Sequence, residues 1–364
     1  MNNMKSSTLL RSSIIMVFLS VVASLSAKEP LKYVDAGNLQ IVNRAQPDSP
    51  GFHRLDTGKY PTLSARAGVY YDFSTGLALR FNTDSRNIAA RWTTTDTLSR
   101  VNTQPIAQKG LDLYIRRDGR WVHAGVGAPK YQGKKHSSNI VMSMEPGVKE
   151  CLLYLPVFSR LDALSIGIDS AAYITSDGVE APGPKVVAMG SSITHGVGVS
   201  RSGMAWPALL GRRLGLDIPN LGTSGISKLE QFYARIIADT EAEAFVFDVF
   251  SNPDAKQIES RLADFVATIR KAHPTTPLIF LQTEVRETTN FDTKKRAFEQ
   301  AKRDMAAREM ARLMQTDKNL YFIDPGLEIG SDHEATVDGV HPSDMGTVRI
   351  VDHLVPVLTD LLRL

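Results

Sequence analysis

A serine and a histidine that are far apart in the sequence could together carry out nucleophilic acyl transfer. Ser192 follows the apolar run 186–189, which has the composition of a buried strand. His341 follows Asp338 in the segment Asp-Gly-Val-His-Pro. A hydroxyl, an imidazole and a carboxylate are the three groups that such chemistry requires. We therefore predict Ser192 as the nucleophile, His341 as the general base and Asp338 as the group that orients the imidazole.

Further groups at predicted strand ends fit the same chemistry. The backbone N–H groups of Ser192 and Gly225 and the side-chain amide of Asn252 could stabilise the negative oxygen of a tetrahedral intermediate. His195 and Glu284 fall where they could contact a substrate. Each residue taken alone is better explained as a helix cap, a turn or a loop position. Their occurrence after successive predicted strands favours the catalytic interpretation.

The composition is that of an ordinary globular protein and gives no sign of nucleic-acid binding. Of 364 residues, 43% are hydrophobic and 22% are charged, and the formal net charge is only +3. The single cysteine, Cys151, cannot form an internal disulfide, and its apolar context predicts a buried thiol. The segment 196–198 lacks the third glycine of a dinucleotide site. Asp332 and His333 lack a third metal ligand, so we expect neither a cofactor nor a metal.

The first residues have the composition of an export signal. Lys5 and Arg11 precede the apolar run 14–23, and small residues follow at 25–27. This order predicts a signal peptide over 1–27 and a protein that is periplasmic or secreted. An uncleaved anchor is the alternative, although the apolar run is shorter than the roughly 20 residues that a membrane span needs.

The remainder of the chain divides into two parts with different periodicity. Residues 28–178 contain short apolar runs separated by turn residues, which predicts an antiparallel β-sandwich. The Asp-Gly pair at 118–119 predicts a tight hairpin. The strands are expected at 69–73, 77–81, 88–92, 111–115, 141–144, 152–155 and 164–168.

Residues 184–364 alternate between apolar strands and helical stretches. This alternation predicts a parallel sheet with helices on both faces, in which ligands bind at the carboxyl ends of the strands. The strands are expected at 185–189, 218–221, 245–249, 278–281 and 321–323. The helices are expected at 205–214, 228–239, 258–272, 293–314 and 346–362.

Several of these segments resemble the sequence blocks of the SGNH (GDSL-type) serine hydrolases. The matching segments are 190–194, 220–225, 251–252 and 338–342. The resemblance implies a three-layer α/β/α, flavodoxin-like hydrolase domain at 184–364. It also implies that Ser192 is the nucleophile, that Gly225 and Asn252 are oxyanion donors, and that Asp338 and His341 complete the triad.

Two departures from the family pattern and one additional match refine this interpretation. The family's usual Asp before the nucleophile is Ser191 here, which removes a carboxylate that braces the loop. Asn252 is followed by Pro253 rather than Asp, so its oxyanion role is less certain than that of Ser192. The segment 110–114, Gly-Leu-Asp-Leu-Tyr, resembles the motif of a two-domain subgroup that has an N-terminal, jelly-roll-like β domain.

The subgroup is similar to bacterial esterases that deacetylate carbohydrates. We therefore expect an exported serine esterase that removes acetyl or other small acyl groups from an acylated carbohydrate. Two alternatives remain open: a lipid or thioester hydrolase with the same triad, and a non-catalytic carbohydrate-binding protein.

Overall fold

The computed structural model describes residues 30–95, 100–130, 133–324 and 329–364. The predicted signal peptide at 1–27 lies outside these residues. Among the described residues, no helix combines the length and apolar character that crossing a membrane requires.

The first part of the chain forms two antiparallel sheets. One sheet has the strand order β1-β9-β4-β7, and the other has the order β10-β3-β8-β5-β6, with β2 paired to β3. These strands are β1 (Leu31–Asp35), β2 (Gln40–Val42), β3 (Ala78–Thr83), β4 (Ile88–Thr94), β5 (Leu111–Arg117), β6 (Arg120–Gly127), β7 (Lys135–Val141), β8 (Lys149–Tyr154), β9 (Leu161–Asp169) and β10 (Ile174–Thr175).

The two sheets pack face to face around an apolar core. Alternate side chains point inward, such as Leu79 and Phe81 from β3 and Ile166 and Ile168 from β9. Cys151 is part of this core, and burial raises the pKa of its thiol well above the usual value. The predicted β-sandwich is therefore confirmed.

The predicted hairpin is present, but one predicted strand is a helix. Asp118 and Gly119 join β5 to β6 with φ angles of 50° and 74°, the left-handed conformations that a tight hairpin turn uses. The strand expected at 69–73 is wrong, because these residues belong almost entirely to helix α1 (Ala65–Asp72). The Ser64 hydroxyl caps this helix by accepting a hydrogen bond from the N–H of Ala67.

Two smaller differences concern elements of the same part. The strand expected at 141–144 ends at Val141, where β7 finishes. A second short helix, α2 (Pro105–Lys109), has no counterpart in the sequence prediction. Its proline occupies the first turn, where a missing N–H costs nothing.

The second part forms a four-stranded parallel sheet with the order β11-β12-β13-β14. Its strands are β11 (Val186–Gly190), β12 (Ala244–Asp248), β13 (Leu278–Leu281) and β14 (Leu320–Ile323). Its helices are α3 (Ser192–His195), α4 (Trp206–Leu214), α5 (Gln231–Ala238), α6 (Ala255–Ala272), α7 (Thr293–Met314) and α8 (Asp344–Leu362). The bounds predicted for the strand 278–281 and for the helix 293–314 agree with those of β13 and α7.

Helices cover both faces of the parallel sheet. Val187 of β11 packs on the side of α5, α6 and α7, whereas its neighbour Val186 packs on the side of α4 and α8. Successive residues of β12 divide in the same way. Such a sheet is buried on both faces, which explains why its strands are continuously apolar. The predicted α/β class and three-layer arrangement are therefore confirmed.

The strand expected at 218–221 does not form as a regular strand. The segment lies beside β11 at the edge of the sheet, with isolated parallel bridges between Lys185 and Asp217 and between Ala188 and Asn220. The Leu221 N–H also donates to the Ala188 carbonyl oxygen at 2.7 Å. Pro219 cannot donate to a ladder, and the N–H of Ile218 donates instead to the Asn43 side chain. The first part of the chain therefore takes over hydrogen bonds that another strand would otherwise make.

A buried arginine joins the two parts at the segment 220–222. Arg54 donates to the carbonyl oxygens of Asn220 at 2.9 Å and Gly222 at 2.8 Å. Burial lowers the pKa of Arg54 to about 10. Tyr71 of α1 also enters the core between the parallel sheet and α5, where its ring meets Tyr233. The loop that precedes Gly225 is thus held by residues of the first part.

Candidate active site

Ser192 lies at the turn from the first parallel strand into α3. Gly190 ends β11, and the Ser191 hydroxyl caps the helix by accepting a hydrogen bond from the N–H of Ile193. Gly196 ends the helix with a φ angle of 103°, which favours glycine. Ser192 is 7% exposed, so the residue is almost entirely enclosed by its surroundings.

A carboxylate from the neighbouring strand braces this turn. Oδ2 of Asp248, at the end of β12, accepts hydrogen bonds from the hydroxyls of Ser191 at 2.7 Å and Thr194 at 2.9 Å. It also accepts from their backbone N–H groups at 3.2 and 3.3 Å. The sequence suggested that Ser191 leaves the loop without a bracing carboxylate. In the structure Asp248 supplies one, because strand pairing places it opposite Gly190.

The three residues predicted to form the triad lie in one chain of hydrogen bonds. Ser192 Oγ is 2.9 Å from His341 Nε2, and His341 Nδ1 is 2.8 Å from Asp338 Oδ2. The other carboxylate oxygen of Asp338 accepts from the backbone N–H groups of His341 at 2.8 Å and Val340 at 3.1 Å. Asp332, another carboxylate on the segment that precedes His341, forms an ion pair with Arg349 instead.

An asparagine of the first part completes this hydrogen-bond chain. The Asn102 amide donates to Asp338 Oδ2 at 2.7 Å. Burial alone would raise the pKa of Asp338, but the His341 N–H, the Asn102 amide and the imidazole together lower it to about 2. The neighbouring Thr103 hydroxyl accepts a hydrogen bond from the N–H of Gly198 at 3.3 Å. Sequence reasoning missed Asn102, since no motif marks it and its role depends on how the two parts pack.

The two other candidate oxyanion donors lie at the same edge of the sheet. Asn252 Nδ2 is buried, and within the described residues it has no hydrogen-bond acceptor. Its neighbour Ser251 is held by Arg286 and Lys302, which donate to its carbonyl oxygen at 2.6 and 2.9 Å. Gly225 is exposed and has a φ angle of 75°. A buried amide without an acceptor is costly, which fits a group that binds a developing oxyanion.

His195 is packed in the interior, three residues after Ser192, and does not reach the surface. Its side chain is 0% exposed, and its ring stacks on Phe158 at 4.2 Å between centroids. Its Nε2 lies 3.1 Å from the Val157 carbonyl oxygen, and its Nδ1 accepts from the N–H of Ser224 at 3.3 Å. Burial lowers its pKa well below the usual value, so the ring is neutral. The expectation that His195 contacts a substrate is therefore wrong, and the residue positions the loop before Gly225.

Glu284 follows β13 and is half-buried beside the bracing carboxylate. Its Oε2 is buried and has no hydrogen-bond partner in the described part of the chain. Burial, and then the negative charge of Asp248, raises the pKa of Glu284 to about 8. Burial also raises the pKa of Asp248. Glu284 is thus protonated near neutral pH, and it can donate a hydrogen bond from the carboxyl end of the sheet.

The described residues contain no cluster of three or more His, Cys, Asp or Glu side chains arranged to hold a metal ion. The Ser192 hydroxyl, the His341 imidazole, the Asp338 carboxylate and the Asn102 amide are instead in contact with one another, with the Asn252 amide at the same edge of the sheet. Such an arrangement can activate the hydroxyl as a nucleophile and bind a negative oxygen nearby.

Two family models match the chain. The model of the GDSL-like lipase/acylhydrolase family matches residues 184–359. The model described as the N-terminus of Esterase_SGNH_hydro-type matches residues 31–174. No match was found among curated proteins.

Solved structures are similar over most of the chain. A protein from Bacteroides ovatus described as a GDSL-like lipase is 42% identical, with a TM-score of 0.88 over 92% of this chain and 98% of that chain. The salicylyl-acyltransferase SsfX3 of a tetracycline biosynthetic pathway is 20% identical, with a TM-score of 0.72 over 91% and 97%. A family two carbohydrate esterase from Clostridium thermocellum, solved with cellohexaose, is 12% identical, with a TM-score of 0.54 over 79% and 93%.

The two more distant structures show a shared fold, whereas the Bacteroides ovatus protein is similar in sequence over nearly its whole length. The match of that protein agrees with the family models of both parts. The chain therefore belongs to the GDSL-like lipase/acylhydrolase family and is an esterase or acylhydrolase.

Proposed function

We propose that the protein is a serine esterase that removes acetyl or other small acyl groups from a carbohydrate. The observation that carries this proposal is the hydrogen-bond chain from Ser192 through His341 to Asp338. Both contacts have the lengths expected of a nucleophile, its base and the orienting carboxylate.

In the proposed reaction, His341 accepts the proton of Ser192 as the serine oxygen attacks the ester carbonyl carbon. The negative oxygen of the tetrahedral intermediate is bound by the N–H groups of Ser192 and Gly225 and by the amide of Asn252. The imidazolium then protonates the leaving alcohol, and an acyl group remains on Ser192. Water, deprotonated by His341, attacks this acyl group and releases the acid. Asp338 stabilises the charged imidazole throughout.

Polar groups around the hydrogen-bond chain support a sugar as the alcohol. The Asn102 amide contacts Asp338, the Thr103 hydroxyl binds the Gly198 N–H, and the Glu284 carboxyl lies near Asp248, which braces the turn that carries Ser192. Hydroxyl-rich substrates are oriented by such fixed polar groups. The likeness of fold to a carbohydrate esterase solved with cellohexaose is compatible with this class of substrate.

Two exposed valines favour a second candidate, a lipid or thioester hydrolase. Val101 precedes Asn102 and Val337 precedes Asp338, and both valines are exposed. Apolar groups at this position could contact an acyl chain, and each buried methylene would contribute roughly 0.8 kcal/mol. The length of the preferred acyl chain therefore separates the two candidates.

The deciding experiment compares acetyl, octanoyl and palmitoyl p-nitrophenyl esters, together with acetate release from an acetylated polysaccharide. We expect the highest kcat/KM for acetyl and a steep decline by octanoyl. A profile that rises from acetyl to octanoyl would reject the carbohydrate deacetylase and favour the second candidate.

Ser192→Ala tests the catalytic assignment itself. We expect turnover to fall by several orders of magnitude while the folded structure is retained, since a nucleophile is lost and little core area changes. Circular dichroism and thermal unfolding serve as the folding control. Retention of more than about a tenth of the wild-type turnover would remove Ser192 from its role. Absence of turnover in the wild type itself would favour a non-catalytic carbohydrate-binding protein.

We also propose that the protein is exported after cleavage behind residue 27. The basic, apolar and small-residue order of 1–27 supports this proposal. Fractionation of the producing cells and N-terminal sequencing test it, with Lys28 as the expected first residue. An intact N-terminus in the cytoplasmic fraction would contradict export.

A further inference from the structure

Two arginines of the first part donate to one tyrosine hydroxyl. Arg66 lies 3.1 Å from the Tyr70 hydroxyl oxygen through Nη2 and 3.3 Å through Nε. Arg100 donates to the same oxygen through Nη2 at 2.8 Å. Tyr70 thus holds the two guanidinium groups, which we call the arginine pair, next to each other.

The arginine pair has no counter-ion among the residues that the structure describes. No carboxylate there forms an ion pair with Arg66 or Arg100, whereas Arg80, Arg201, Arg270 and Arg349 each have one. Burial lowers the pKa of Arg100, the contact with Tyr70 acts in the opposite direction, and the charge of Arg66 lowers the pKa further. A third guanidinium, that of Arg54, donates to the carbonyl oxygen of Tyr70. Like charges held close together repel each other, and an anion bound by both would remove this repulsion.

The arginine pair lies near residues of the proposed reaction site. A Cβ atom built on Gly225 would lie 3.8 Å from Arg66 Nη2, with no other atom outside the adjoining chain within 4 Å. Arg100 lies over the Phe158 ring at 4.3 Å, and it is two residues along the chain from Asn102, which contacts Asp338. Arg66 is therefore next to a candidate oxyanion donor, and Arg100 belongs to the segment that contacts the Asp338 carboxylate.

We propose that the arginine pair binds a negatively charged group on the saccharide whose ester is cleaved, so that the substrate is an acylated acidic carbohydrate. The proposal rests on the proposed function. Guanidinium groups bind carboxylates and sulfates through paired N–H donors, which fixes the orientation of the sugar as well as its affinity. Such a group can come from a uronic acid or from a sulfate ester.

The test compares three acetylated oligosaccharides of equal length: a galacturonate, a neutral galactan and a sulfated galactan. The quantity measured is the ratio of kcat/KM for each charged substrate to that for the neutral one. We expect a ratio of about ten or more for the wild type, equivalent to roughly 1.4 kcal/mol. The charged substrate with the higher ratio shows whether the bound group is a carboxylate or a sulfate. Added salt should lower the ratio if the contact between the arginine pair and this group is exposed to solvent.

Arg66→Gln and Arg100→Gln each remove one charge, and each is expected to lower the ratio several-fold. Arg120→Gln is the matched control, because Arg120 is exposed on the β5–β6 hairpin and lacks contact with the site. If Arg100→Gln fails to fold, Arg66→Glu tests the proposal in its place, since Arg66 is exposed and tolerates substitution. Because this substitution reverses the charge, we expect a lower ratio than in Arg66→Gln.

Equal kcat/KM values for charged and neutral substrates in the wild type would overturn the proposal. An unchanged ratio in both Arg66 variants would overturn it as well. Failure of the proposed function looks different, because wild type and Ser192→Ala would then hydrolyse p-nitrophenyl acetate at the same rate.

Discussion

At the scale of single residues, the carboxylate of Asp338 depends on a donor from the other part of the chain. Asn102→Ala removes the amide that lies 2.7 Å from Asp338 Oδ2. We expect kcat to fall about tenfold, since a hydrogen bond to a charged group is worth roughly 1.5–3 kcal/mol. KM should change little, because the amide acts through Asp338 and His341 rather than on the substrate.

Asn87→Ala is the control for this prediction. Asn87 belongs to the β-sandwich part, as Asn102 does, and its side-chain amide donates to the Asp169 carboxylate at 2.6 Å. This hydrogen bond lies within the β-sandwich part and does not involve the part that contains Ser192. We expect Asn87→Ala to lower stability and to leave kcat unchanged. An equal loss of kcat in both variants would mean that Asn102 contributes only to folding.

Glu284 makes stability depend on pH. Its pKa of about 8 lies above the ordinary value of 4.5, so the folded state binds an additional proton between these values. The free energy of unfolding that this proton contributes is fully present below about pH 4.5 and is lost as the pH rises through about 8. Glu284→Gln abolishes this dependence, because the amide is neutral at every pH.

Urea unfolding at several pH values between about 5 and 8 measures the effect. Relative to Glu284→Gln, the wild type should lose stability as the pH rises, by at most ~1.4 kcal/mol per pH unit. Glu334→Gln, measured in parallel, controls for an amide substitution at an exposed position. Parallel curves for wild type and Glu284→Gln would contradict the raised pKa.

At the scale of elements, the end of β12 holds the start of α3. Asp248→Ala would leave the hydroxyls and N–H groups of Ser191 and Thr194 without their acceptor. Buried donors without partners cost roughly 1–3 kcal/mol each, so we expect a loss of several kcal/mol in urea unfolding.

Asp254→Ala is the comparison for this variant. Asp254 caps the exposed start of α6, and loss of such a cap costs about 1 kcal/mol. If Asp248→Ala is no more damaging than Asp254→Ala, Asp248 does not brace the turn.

The elements also show what could be predicted from the sequence. Ser192, Asp338 and His341 could be named because their residue types and order along the chain are distinctive. Asp248 could not, since its role depends on strand pairing that places it opposite Gly190. Local residue preferences misled twice. Val-Tyr-Tyr at 69–71 favours a strand, yet the Ser64 cap and burial of the tyrosines produce α1.

The second error has the same physical origin. The run 218–221 has the composition of a strand, but Arg54 and Asn43 bind its backbone from the other part of the chain. Contacts between distant segments decided the structure in this case, and neither periodicity nor propensity contains them. Asn102 was missed for the same reason.

At the scale of the whole molecule, the hydrolase part depends on the β-sandwich part. A fragment of residues 184–364 lacks Arg54, which donates hydrogen bonds to the carbonyl oxygens of Asn220 and Gly222. It also lacks Asn102, which donates to Asp338. It would also expose apolar surface that Tyr71 covers. We expect the fragment to unfold without cooperativity and to lack activity on p-nitrophenyl acetate.

Calorimetry and an esterase assay on the fragment test this prediction, with the full chain as control. A cooperative transition together with more than about a tenth of the full-length turnover would contradict it. Addition of the separate part 28–178 in trans tests whether the contacts alone restore activity.

The hydrogen bond from Asn102 to Asp338 has a consequence for inheritance. If two genes of this family recombined at the boundary between the two parts, the product would combine the β-sandwich of one protein with the Asp338–His341 loop of the other. Such a hybrid keeps every triad residue, yet it works only if the incoming part carries a matching donor at position 102 and a guanidinium at position 54. Selection on catalysis therefore acts on both parts at once, and they should descend together as one unit.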